Sequence, residues 1–178
     1  MGKQNNKSDF VFQSITLIGI GLIGSSIARA VKKRNDLVQT VTLTDVNAEV
    51  RQKAKEIGLG DHVLDDVTIA VKDADCVILC TPIGNYAEIM QNISNHLKSG
   101  CIVSDVGSVK RAPIADMSPH IPDGVHLVPG HPIAGTEKSG PESGFAELFE
   151  GRYWLLTPGL ETARNATQRM RNLFEGIG

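Results

Sequence analysis

The chain has 178 residues, 41% of them hydrophobic and 21% charged, enough apolar material for one cored domain or one domain and the start of another. Its formal net charge of −2 leaves no basic excess for nucleic acid, and no apolar run reaches membrane-spanning length. With only 4% aromatic residues the core must rest on Ile, Leu, Val and Ala, the usual content of a sheet buried on both faces.

Residues 1–14 are polar apart from Phe10-Val11-Phe12 and lack the apolar stretch of a signal peptide. They are expected to form a loose leader ahead of a domain spanning 15–178, in a cytoplasmic protein. From residue 15 onward, short β-branched runs alternate with segments of helical period, the pattern of a doubly wound α/β sheet. A strand over 15–19 feeds a helix over 22–34; a strand over 41–45 feeds a helix over 48–57, with Gly58 as its C-cap. A short strand at 62–64 and a helical segment at 66–71 lead into 76–80, an apolar strand closed by Thr81-Pro82. A helix over 86–97, a strand over 102–105 and a helix from about 109 follow. Next come a strand at 126–128, a loop, a short helix at 145–149, a strand at 153–157 and a helix from 161. That helix stops at Gly176-Ile177-Gly178, where the alternation would feed another strand, so the chain is expected to be cut within a unit.

Cys76, Cys80 and Cys101 have no metal-ligand spacing, and two of them bracket a buried strand. Free buried thiols and no metal are expected.

Gly19-Ile20-Gly21-Leu22-Ile23-Gly24 matches G-x-G-x-x-G between a strand and a helix, the context that gives this pattern its meaning. Gly19 permits the tight turn, Gly21 lets the backbone approach a diphosphate, and Gly24 lets the helix pack closely on the strand. The free N–H groups around Leu22 and Ile23 at the helix start then meet the phosphates. Asp45 lies 21 positions after Gly24, at the end of the second strand. Its carboxylate suits an adenosine ribose and repels a 2′-phosphate, and no Arg follows until Arg51. The expected fold is therefore Rossmann-type, and the expected cofactor is NAD.

Ligands of open α/β sheets sit beyond the carboxyl ends of the strands. Thr81 and Pro82, then Asp105 and Gly107, are placed there beside the cofactor. Ser108 follows directly, and Gly130-His131-Pro132 follows the next strand. Of five histidines only His131 has this placement, and Pro132 biases it towards an extended backbone. A neutral imidazole there can accept a proton from an alcohol while hydride leaves the same carbon, with Ser108 bonding the hydroxyl or orienting the ring. On the residues alone, a non-catalytic NAD-binding regulatory module and a Rossmann dehydrogenase of another hydroxy acid stay open.

Three segments together carry a further likeness: Ile18 through Ser26, then Asp105-Val106-Gly107-Ser108-Val109-Lys110, then Gly130-His131-Pro132-Ile133-Ala134-Gly135-Thr136-Glu137-Lys138-Ser139-Gly140. The sequence resembles the prephenate/arogenate (cyclohexadienyl) dehydrogenases of tyrosine biosynthesis from about residue 15 to its end. The resemblance implies NAD-dependent oxidative decarboxylation of prephenate to 4-hydroxyphenylpyruvate, or of arogenate to tyrosine. It implies that His131 helps remove the proton of the ring hydroxyl, that Ser108 bonds that hydroxyl and aligns His131, and that Thr136 and Glu137 lie at the substrate pocket. It also implies a homodimer built on a helical C-terminal domain, which this chain is expected to lack.

Overall fold

The computed structural model describes residues 10–178. The first half alternates strand and helix without exception: β1 (Phe12–Ile18), α1 (Leu22–Lys33), β2 (Val38–Thr44), α2 (Ala48–Glu56), β3 (His62–Leu64), α3 (Val67–Val71) and β4 (Cys76–Leu79). Then come α4 (Tyr86–Ile93), β5 (Ile102–Asp105), α5 (Arg111–Met117), β6 (His126–Leu127), β7 (Gly130–Pro132), β8 (Trp154–Leu156) and α6 (Arg164–Ile177).

Strands β1 to β6 form one wholly parallel sheet in the order β3-β2-β1-β4-β5-β6. The chain winds outward from β1 to β3, then crosses back to β4 and winds the other way. The order reverses between β1 and β4, where the loops leaving adjacent strands diverge and open a crevice.

Side-chain alternation along the strands builds a core on each face. Ile15 and Leu17 of β1 and Ile78 of β4 join one cluster with Ile27 and Val31 of α1 and Met170 and Phe174 of α6. Ile18, Val77, Leu79 and Val103 join the other, with Tyr86, Met90 and Ile93 of α4. Each fully buried Leu or Ile stabilises the fold by roughly 1.5–3 kcal/mol, so these two layers rather than helix caps set the stability. Thr16, polar within this core, donates from Oγ1 to the Ala70 carbonyl at 2.7 Å.

The strand at the chain start is longer than its sequence indicates. Phe12 is fully buried, and β1 begins there, so 12–14 are not leader; residues 1–9 of the expected leader lie outside the described residues. Distant partners hold this end: Arg169 donates to the Val11 carbonyl and stacks its guanidinium 4.2 Å over the Phe12 ring, while Asp75 accepts the N–H groups of Gln13 and Ser14. Strand β2 likewise starts at Val38, which pairs with Phe12. The helix expected over 86–97 ends at Ile93 and tightens into a 3₁₀ turn over Ser94–His96. Gly130–Pro132, expected as a strand end and loop, is itself a strand. It pairs antiparallel with β8 in a separate ribbon, His131 opposite Leu155. No helix among the described residues is long and apolar enough to cross a membrane.

Candidate active site

The glycine turn leaves the carboxyl end of β1 at the sheet's reversal point. Gly19 has φ +98°, and a Cβ there would lie 2.9 Å from the Cys80 carbonyl and from Thr81 Cγ2. Its N–H donates to the Thr44 carbonyl at 2.8 Å, which ties the turn to β2. A Cβ on Gly24 would lie 2.2 Å from the Gly19 carbonyl oxygen, so the helix can approach the strand only with glycine here. Gly21 differs from both: a Cβ would meet no protein atom within 4 Å. It is also the N-cap of α1, with no side-chain cap and no acidic residue in the first turn. The first turn of α1 therefore has no side-chain cap, and beside it at Gly21 lies open space that a side chain there would fill, which fits a diphosphate.

Asp45 is locked to this turn. Its Oδ2 accepts the Ile20 N–H at 2.8 Å and its Oδ1 the Asn47 N–H at 2.9 Å. Each oxygen keeps further acceptor capacity for ribose hydroxyls. Arg51, six residues on, folds back to donate to the Asp45 carbonyl at 2.6 Å and the Val46 carbonyl at 3.0 Å. Thr81 has a buried Oγ1 with no hydrogen-bond partner among the described residues, beside the Gly19 turn. An unsatisfied buried hydroxyl in that place is what a bound nucleotide can satisfy. Pro82 follows as the cap of a 3₁₀ turn over Ile83–Asn85.

Asp105 was expected at the cofactor, but its side chain is fully buried and committed to the protein. Its Oδ2 accepts from the Gly107 N–H at 2.9 Å and from Lys110 Nζ, and its Oδ1 accepts the Gly130 N–H at 3.1 Å. Lys110 also donates to the Gly130 carbonyl. Burial lowers the pKa of this lysine, opposed by its hydrogen bond and charge attraction to Asp105. Gly107 sits where a Cβ would crowd Asp105 Oδ2 at 2.9 Å and Ile83 at 3.0 Å, so its role is close packing. Nothing in the local pattern signals the Asp105–Lys110 pair beyond the presence of both residues in one motif.

Ser108 is exposed and His131 half-buried on β7. No hydrogen bond joins their side chains among the described residues; what joins their segments is Asp105, through the neighbouring residues Gly107 and Gly130. Thr136 lines a cavity of about 330 Å³ with Ile133, Phe145 and Arg152, next to Glu147 and Glu150. Glu137 is exposed and outside that cavity. A larger cavity of about 450 Å³, between Trp154, Phe174 and Arg171, contains none of the expected site residues.

Burial pushes up all three thiols, Cys101 to about 12, so none is a nucleophile at neutral pH. Among the described residues no group of three or more His, Cys, Asp or Glu is placed to hold a metal ion.

This geometry has relatives. The family described as "Prephenate dehydrogenase, nucleotide-binding domain" matches residues 27–178, beginning just past the glycine turn. A cyclohexadienyl dehydrogenase of Zymomonas mobilis is 42% identical over 168 residues, covering 94% of this chain and 57% of that protein. A prephenate dehydrogenase of Bacillus subtilis is 32% identical, covering 92% of this chain and 44% of that protein. The chain thus spans about half the length of these relatives. Among solved structures, prephenate dehydrogenase from A. aeolicus, in complex with hydroxyphenyl propionate and NAD+, superposes with a TM-score of 0.84 at 30% identity. That match covers 93% of this chain and 57% of the other. Sequence match, fold and glycine turn agree, and the chain belongs to the prephenate dehydrogenase nucleotide-binding domain family.

Proposed function

We propose that this protein binds NAD+ at the Gly19–Gly24 turn and takes part in the oxidative decarboxylation of prephenate or arogenate. The observation that carries the reading is the uncapped, open edge at Gly21 with Asp45 fastened beside it, in a chain of this family. The relatives' names supply the reaction class: cyclohexadienyl and prephenate dehydrogenases, one of them solved with NAD+.

The bound nicotinamide supplies the hydride acceptor. The chain's own residues bind, orient and move one proton. Gly21, Leu22, Ile23 and Gly24 would present backbone N–H groups to the diphosphate, the Ile20 N–H being held by Asp45, whose carboxylate would accept from the adenosine ribose. Thr81 and Pro82 would shape the wall near the cofactor's ribose. His131 takes the proton of the ring 4-hydroxyl as hydride leaves C4, while Ser108 bonds the same oxygen. Cleavage of the ring–carboxylate bond releases CO2 and returns its electron pair to the ring. The ring becomes aromatic, and its oxygen recovers the proton as a phenol. Positioning and one proton transfer are all that the protein must contribute. Thr136 and Glu137 belong to the substrate side. For the full-length protein the reading extends to a homodimer, which light scattering measures directly, and to a cytoplasmic setting.

NADH formation with prephenate and with arogenate tests the reading. Turnover with either substrate, reduced about 10²–10⁴-fold by His131→Asn, is expected. An unchanged rate in that variant excludes His131 as the proton acceptor.

A further inference from the structure

Two short segments carry the proposed chemistry, the turn bearing Ser108 and the strand bearing His131, and among the described residues no hydrogen bond joins the two side chains. Asp105 reaches both backbones, with one carboxylate oxygen on the Gly107 N–H and the other on the Gly130 N–H. Lys110 closes the arrangement by donating to Asp105 and to the Gly130 carbonyl. Gly130, immediately before His131, is thus held at its N–H and its C=O by one ion pair. The pair is well shielded, Lys110 being 17% exposed and Asp105 fully buried. There is no slack around it. A Cβ on Gly107 would strike Asp105 Oδ2, and one on Gly130 would lie 2.9 Å from Trp154 Nε1 and 3.0 Å from the Asp105 carbonyl. Glycine on both sides lets the two backbones close onto a single carboxylate.

We propose that Lys110 is a positioning residue, the latch that holds Asp105 across the two segments and so fixes His131 relative to Ser108. The proposal rests on the catalytic reading of His131 and deepens it. A buried carboxylate stripped of its cation must either take up a proton or draw in water. Either change alters its grip on the Gly107 and Gly130 amides, and both catalytic segments shift together. The glycine turn hangs on different bonds, Gly19 N–H to Thr44 and Cys80 N–H to Ile18, so the nucleotide cradle is spared.

Lys110→Met tests this by two routes. Amide hydrogen exchange, which needs no turnover, is expected to show Gly107 and Gly130 losing protection together by about tenfold or more, with Gly19 and Cys80 unchanged. Turnover is expected to fall by about 100-fold, the scale of an ångström-sized misplacement, with NAD+ affinity held. In a His131→Asn background the same change is expected to cost less than about twofold more, because two substitutions acting through one group do not add. Lys110→Gln, which keeps a donor on the side chain, provides the same readings if Lys110→Met does not fold. Unchanged exchange at either amide, or a full 100-fold loss persisting without His131, overturns the proposal. If the unsubstituted protein makes no NADH from prephenate or arogenate, the catalytic reading fails, and the exchange measurement still decides the latch.

Discussion

Asp45 accepts the backbone N–H of Ile20 through Oδ2 at 2.8 Å, so the acid proposed to read the ribose is fastened to the turn proposed to read the diphosphate. The two halves of nucleotide recognition therefore move as one piece. Asp45 also occupies, with its own negative charge, a small nest formed by the Ile20 and Asn47 amides beside the Arg51 guanidinium.

That nest predicts how cofactor choice can be changed. Asp45→Ser removes the charge that repels a 2′-phosphate and leaves two amides and Arg51 near its place. The preference for NAD+ over NADP+ is expected to fall at least about tenfold, or about 1.4 kcal/mol, in parallel titrations with the two nucleotides. An unchanged ratio would show that Asp45 does not set the choice.

Gly24 tests the packing beneath the turn. Ala there places a Cβ 2.2 Å from the Gly19 carbonyl oxygen, an overlap that only a movement of α1 away from β1 relieves. Gly24→Ala is expected to lower stability by about 1–3 kcal/mol in denaturant unfolding, the usual range for overpacking. A wild-type midpoint would contradict the close approach of helix and strand.

Asp75 predicts an acid-sensitive tether. Burial alone would raise its carboxyl, but the Lys98 ion pair at 2.7 Å and the Gln13 and Ser14 amides outweigh it and hold the pKa below the ordinary 3.8. A carboxyl depressed by folding stabilises fully above its unfolded value, and that stabilisation is lost as pH falls through the lower folded value. Asp75→Ala is expected to cost about 1.5–3 kcal/mol at neutral pH, the scale of hydrogen bonds to a charged group. The deficit should shrink as unfolding is followed into acid below pH 3.8. A deficit independent of pH would place the effect elsewhere than in the carboxylate.

Much of the sheet is legible from local pattern. His62–Leu64 and Ile102–Asp105 are strands with the expected bounds, because apolar runs flanked by turn residues need no distant partner to identify them. What escapes the pattern is held by distant contacts. Gln13 and Ser14 read as polar leader, yet their amides serve a carboxylate some sixty positions away. Gly130-His131-Pro132 reads as loop, since Pro132 has no N–H to give a ladder; its partner strand is Trp154–Leu156. Asp105 reads as a crevice acid because it ends a strand, but its partners include Gly130, 25 positions on, and a buried carboxylate is stable only with such partners. Arg51 reads as too far along to matter, and one turn of α2 brings it back to Asp45. The glycine turn and Asp45 were visible because their spacing is itself the signal; the latch between Ser108 and His131 was not.

The open edge at Gly21 is the proposed seat of the cofactor's diphosphate. Calorimetric titration of NAD+ into the protein and into Gly21→Ala measures it most directly. Ala fits the φ of −81° at Gly21 and touches no protein atom, so the variant should unfold within about 0.5 kcal/mol of the parent. The prediction is that the parent binds NAD+ and that Gly21→Ala, equally stable, binds it at least about tenfold more weakly. Equal affinity in the two proteins, or no NAD+ binding by the parent, would contradict that placement.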